Sequence, residues 1–166
     1  IETENQELFR VKQPLTCGQN KISITIPVDN PRKWDITDPY LYDLQVCLWR
    51  EQETNSRELC QQEHFRIGFR TMQFDPARGF LLNGRKVRLN GACDHHDLGA
   101  LGAAFHKEAM RRKFELMRSM GVNAVRTSHN MPAVELMELA DEMGFLIVSE
   151  AFDMWEMAKN PYDYAR

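Results

Sequence analysis

One grammar occurs twice in the second half of the chain. "SMGVNAVRTSH" and "EMGFLIVSEAF" each read as a helix end, Met-Gly, an apolar strand and a polar cluster. Repeated βα units require parallel strands, because each strand is followed by a crossover helix that returns the chain to the same end of the sheet. The helices are visible in the spacing. "FHKEAMRRKFELMRSMG" puts Met110, Phe114 and Met117 on one stripe and stops at Gly121. "PAVELMELADEMG" predicts a second helix, with Pro132 near its first position and Gly144 at its end. Met110, Met117, Met120, Met137 and Met143 recur at helical spacing and are expected in the core. His106 begins the first helix as a surface or capping residue.

The first half follows a different rule. From Lys21 to about Phe74 the period is two. "KISITIPV" alternates Ile22, Ile24, Ile26 and Val28; "LYDLQVCLW" alternates Tyr42, Leu44, Val46 and Leu48; "EHFRIGFRT" alternates Phe65, Ile67 and Phe69. This predicts antiparallel strands with one buried face, separated by the turn-rich "VDNPRKWDITDPY" and "REQETNSREL". His64, beside Phe65, reads as structural. Antiparallel strands at this spacing suggest a β-sandwich; a whole sandwich of this kind takes about seven strands and ~100 residues, so this one is expected to be truncated on its N-terminal side. Asp75-Pro76 ends the last of these strands, and Asn83-Gly84 between "FLL" and "KVRL" marks a hairpin turn.

The chemically capable residues sort by position. Strand "KVRLNGAC" ends at Asp94, His95 and His96; the next at Arg126, Thr127, Ser128 and His129; the third at Ser149 and Glu150, with Asp153 and Trp155 just beyond. In parallel α/β folds the site lies at the carboxyl ends of the strands, where the βα loops converge. A closed barrel of eight βα units needs roughly 250 residues. The barrel therefore does not close within these 166 residues, and the chain reads as a piece of a larger enzyme.

Together, "GFRTMQFDPARGFLLNGRKVRLNGACDHHDLGALG" and "GVNAVRTSHNMPAVELMELADEMGFLIVSEAFDMW" resemble glycoside hydrolase family two, most of all its β-galactosidase branch, over about residues 20–158. The resemblance implies a partial immunoglobulin-like β-sandwich over residues 1–73, then the first βαβαβ of a TIM-barrel catalytic domain over 74–166. It implies a hydrolase of terminal β-D-galactosides with retained configuration, β-glucuronidase and β-mannosidase being the related alternatives. Two glutamates ~5 Å apart perform that reaction. In the family both come from later barrel strands, so none is expected here and the isolated chain is expected to be silent. By resemblance His95 and His129 contact sugar hydroxyls, and Arg126 pairs with the nucleophilic glutamate. Arg126 also reads as a buried ion-pair residue holding the barrel. Trp155 is either a sugar-stacking platform or core. His96, Asp97, Asn130 and Glu150 are placed at the pocket. Glu150 stands in "SEA" where the family has "DEA", and reads as a structural acid satisfied by backbone donors. No cofactor or metal is expected, because "EAFDMWEM" lacks the histidine with which some relatives hold magnesium.

Two other classes compete. Asp94, His95, His96, Asp97 and His129 suit a metal-dependent hydrolase, although neighbours on a strand point to opposite faces. Trp34, Tyr40 and Trp49 suit a non-catalytic carbohydrate-binding module, although "KWDITDPYLYDLQV" resembles a stretch that packs the domain junction in the family. A formal charge of −3 with both signs interspersed gives no basic stripe for nucleic acid. No apolar run is long enough to span a membrane. "IETENQELFR" is polar and not a signal peptide, which leaves periplasm and cytoplasm both open. Cys17, Cys47, Cys60 and Cys93 show no CxxC pairing. They are expected as buried or partly buried free thiols, a disulfide among the first three being the alternative. The open barrel edge past Ala151 is expected to drive homo-oligomerisation or segment swapping.

Overall fold

A computed structural model describes residues 8–51, 56–152, 156–158 and 160–162. In the first half, β1 (Tyr42–Glu51) and β2 (Arg57–Ile67) form an antiparallel ribbon, from Tyr42 opposite Ile67 to Glu51 opposite Arg57. The alternation is as expected, but its apolar face lies open: Val46, Leu48 and Phe65 are each about half exposed. Lys21–Val28 departs from expectation. It forms no strand, and Ile22, Ile24, Ile26 and Val28 are exposed. Alternation fixes which side chains share a face, but a strand also needs a neighbour to complete its backbone hydrogen bonds, and the sheet holds only β1 and β2. The segment instead folds back along residues 9–13 across a turn closed by Asn20, whose side chain bonds Thr16 and Gly18.

Next comes a small antiparallel sheet of β3 (Met72–Asp75), β4 (Gly79–Leu82) and β5 (Arg85–Lys86). Asp75 ends β3 by accepting hydrogen bonds from the Ala77 and Arg78 amides. Asn83 and Gly84 both have positive φ, 53° and 79°, the backbone that a two-residue type I′ hairpin requires.

Three parallel strands follow in sequential order: β6 (Gly91–Asp94), β7 (Ala124–Thr127) and β8 (Leu146–Ser149). The run "KVRLNGAC" is thus divided, its Lys86 going to the hairpin and only Gly91–Cys93 to the parallel sheet. Between the strands lie α1 (Lys107–Ser119) and α2 (Val134–Met143). Met110, Phe114 and Met117 of α1 pack with Val125, Leu136, Leu139, Ala140 and Phe145. His106 caps α1, its Nδ1 accepting from the Ala109 amide. Pro132 lies one residue before the α2 N-cap, Ala133, rather than inside the first turn. Met120 and Met137 are not core: they are 72% and 37% exposed, one past the end of α1 and the other on the outer side of α2. All four cysteines are free; Cys17, Cys60 and Cys93 are exposed and only Cys47 is half-buried.

The residues before β1 dock on the end of α2. Trp34, expected as a possible exposed binding aromatic, is 1% exposed and packs with Leu82, Val87, Ala124 and Leu146. Its indole Nε1 donates to the Asp141 carbonyl at 2.7 Å. Gly144 ends α2 with φ 71°, and a Cβ there would lie 2.6 Å from the Ile36 carbonyl oxygen. Glu142 binds Arg66 of β2 at 2.6 Å and Arg111 of α1 at 3.0 Å, with Lys107 at 3.5 Å. Burial alone pushes its carboxyl up, but these cations outweigh burial and bring the pKa down to about 2.

Candidate active site at the carboxyl ends of the parallel strands

Register decides which side chains face where. Ala92, Val125 and Ile147 are aligned across β6, β7 and β8 and pack against the helices. The alternate residues Cys93, Arg126 and Val148 are aligned on the opposite face. At the amino end of that face Ala124 and Leu146 are covered by the Trp34–Leu82–Val87 cluster. At the carboxyl end the face is open, and Val148 is 52% exposed. The hairpin thus plugs one end of the face and leaves the end where βα loops meet accessible.

Glu150 lies two residues past Val148 and turns back to β7. Its Oε1 accepts from Arg126 Nε, and its Oε2 lies 2.9 Å from His129 Nδ1. An ionised carboxylate only accepts, so the shared proton belongs to His129 Nδ1. In a ring carrying a single proton, that leaves Nε2 as an acceptor. The 3.5 Å approach of Arg126 Nη2 to the same Nδ1 is then a contact between two donors rather than a bond. Arg126 Nη1 also reaches Cys93 Sγ at 3.8 Å. The rings of His95 and His129 meet edge to face, centroids 5.3 Å apart. The Ser128–His129 peptide is cis. Burial raises the Glu150 carboxyl, but the hydrogen bonds from Arg126 and His129 prevail and hold its pKa below the ordinary carboxylate value. Glu150 raises that of Arg126 in turn.

Of the residues singled out in the sequence, His95, Arg126, His129 and Glu150 therefore converge. Two readings change. The Glu150 carboxylate is satisfied by side chains and not by backbone donors, and Arg126 is 44% exposed rather than a buried ion-pair residue. His96 has φ 54° and turns its Nε2 into an enclosed position with no hydrogen-bond partner among the described residues. Asp97 accepts from the Gly99 amide at 2.8 Å and holds its own loop. Asn130 is exposed beside His129. Asp153 and Trp155 lie outside the described residues.

Sequence reasoning missed Lys113. It binds the carboxylate of Asp94, which is 4% exposed, and donates to the Asp97 carbonyl at 2.6 Å. The signal was present: Lys113 is the one charged residue in the i, i+3, i+4, i+7 stripe of Met110, Phe114 and Met117. Among the described residues no three His, Cys, Asp or Glu side chains gather as metal ligands. Asp94 is engaged by Lys113, and Glu150 by Arg126.

A parallel βαβαβ sheet with its polar groups gathered at the strand carboxyl ends defines the opening of an α/β-barrel enzyme. The family model for glycosyl hydrolases family 2, TIM barrel domain, matches residues 76–160, and that for glycosyl hydrolases family 2 matches residues 2–70. The chain belongs to glycosyl hydrolase family 2, and comprises part of its immunoglobulin-like domain and the start of its TIM barrel. It is 45% identical over 141 residues to "Beta-galactosidase BoGH2A" of Bacteroides ovatus, covering 85% of this chain and 16% of that protein. A crystal structure of a family 2 member from Bacteroides cellulosilyticus aligns with TM-score 0.72 at 42% identity, covering 81% of this chain and 17% of that one. A β-glucuronidase of Bacteroides fragilis is 32% identical, over 74% of this chain and 17% of that protein. The chain thus spans about one sixth of the length of these relatives. Among the described residues no helix is long and apolar enough to cross a membrane.

Proposed function

We propose that the chain forms one wall of the sugar pocket of a retaining glycosidase acting on terminal β-D-galactosides, with the catalytic carboxylate pair supplied from outside these residues. The observation that carries this reading is the convergence of His95, Arg126, His129 and Glu150 at the ends of three successive parallel strands. His95 and the free Nε2 of His129 contact sugar hydroxyls. Glu150 fixes the tautomer of His129 and holds the Arg126 guanidinium by its Nε. Among the described residues the Nη groups then have only a sulfur contact and the approach to His129, which leaves them for a second carboxylate, the family's nucleophile. Asn130 borders this wall, and Trp155 is proposed as its stacking platform. The sandwich portion covers 1–73 and the barrel portion 74–166.

The β-glucuronidases among the relatives raise a second reading. The higher identity to a relative named β-galactosidase favours the galactoside. The outer edge of β8, where Val148 is exposed, is proposed to pair with further barrel strands or with a second copy.

The test is hydrolysis of chromogenic glycosides by this chain and by the full reading frame that contains it. The expected result is no turnover by the chain alone, and cleavage of the β-galactoside in preference to the β-glucuronide by the whole protein. Turnover by the chain alone, abolished by one substitution within it, would place the catalytic groups here and overturn the proposal.

A further inference from the structure

Lys113 stands outside the sugar-facing set, yet it touches the segment that carries His95 from both sides. Its ammonium binds the Asp94 carboxylate just before His95 and the Asp97 carbonyl just after His96. Between these anchors the chain turns through the left-handed backbone of His96, φ 54°. That conformation is uncommon for a residue with a side chain and depends on its surroundings to persist. The front anchor is also tied to the next strand, because the Asp94 carbonyl accepts from the Ser128 amide at 2.8 Å. The His129 ring follows one residue after Ser128, held by Glu150.

We propose that Lys113 is a positioning residue: as a clamp from α1 across Asp94–Asp97, it sets the His95 ring against His129 on the sugar-facing rim. The geometry explains why a lysine occupies the apolar stripe of α1. An apolar residue there would leave Asp94 as an unpaired charge at 4% exposure. Arginine can replace the clamp because it presents several donors to one carboxylate and one carbonyl. The consequence for sugar binding rests on the reading of His95 given above, but the clamp itself does not.

The experiment is NMR of this chain with labelled histidine rings, comparing the native protein with Lys113→Met, Lys113→Arg and Asp94→Asn. The His95–His129 ring cross-peak reports the clamp, and His106, the N-cap of α1, reports the helix. The clamp predicts loss of the ring cross-peak in Lys113→Met and Asp94→Asn with His106 unchanged, and its retention in Lys113→Arg. Retention of the cross-peak in both Lys113→Met and Asp94→Asn overturns the proposal. So does a His106 change as large as that at His95 in both variants, because Lys113 would then be holding the helix rather than the loop. Titration with a galactose-configured iminosugar separates the two claims. The clamp predicts about tenfold weaker binding in Lys113→Met, since small displacements of a positioning group are costly. If native protein binds no sugar while the cross-peak behaves as stated, the pocket reading fails and the clamp stands.

Discussion

Glu142→Gln tests how the residues before the parallel sheet are held to it. Glu142 collects Arg66 from β2 and Arg111 and Lys107 from α1. Its pKa falls from 4.5 to about 2, a difference that corresponds to a ceiling of about 3 kcal/mol. Its side chain is 19% exposed, but those of Arg66 and Arg111 are 43% and 33% exposed. Water screens such cations, so the expected contribution is about 1–2 kcal/mol. The folded-state pKa is depressed, so this stability is fully present above 4.5 and is lost as pH falls through about 2. Urea unfolding across the acid range should therefore give two curves. Near neutral pH the variant is less stable by about 1–2 kcal/mol, and the curves converge on approaching pH 2. Added salt should narrow the gap. If the two curves run parallel from neutral to acid pH, the cations around Glu142 do not hold this junction.

Phe114→Ala should destabilise by about 3–5 kcal/mol in urea unfolding, because Phe114 is 0% exposed and stacks on Phe145 at 4.6 Å; a loss below about 1 kcal/mol would mean that this core is not the one that folds the βα units. Gly144→Ala combines a left-handed backbone with a Cβ 2.6 Å from the Ile36 carbonyl, and the backbone term alone costs about 1–2 kcal/mol. It should also displace Trp34, seen as loss of protection of the indole N–H that binds Asp141; an unchanged indole signal would contradict that docking.

The βα half was legible because period and function coincide there. Met110, Phe114 and Met117 mark one helix face, and a polar cluster closes each strand, so both the fold and the rim follow from spacing. The first half was half legible. Alternation in Tyr42–Leu48 and Phe65–Ile67 identified real strands, but in Lys21–Val28 the same alternation has no partner strand among the described residues. At the rim, strand-end position in the sequence singles out His95, Arg126 and His129, while the partners of Glu150 and the role of Lys113 needed three dimensions. Both are ion pairs between elements 19 or more residues apart, and no local period records them. Trp34 shows the converse: its sequence context suits a surface aromatic, but its burial depends on a hairpin and an α2 carbonyl far along the chain.

The proposed pocket requires that the rim at His95, Arg126, His129 and Glu150 meets a sugar. Histidine-ring NMR during titration of the chain with a galactose-configured iminosugar reads this directly. The rings of His95 and His129 should shift together and saturably, and Arg126→Ala should weaken the response. His64, exposed on β2 beside Gln45 and Gln62, should stay still. Equal movement of His64 and the rim histidines, or no movement of either rim ring at any ligand concentration, would contradict it.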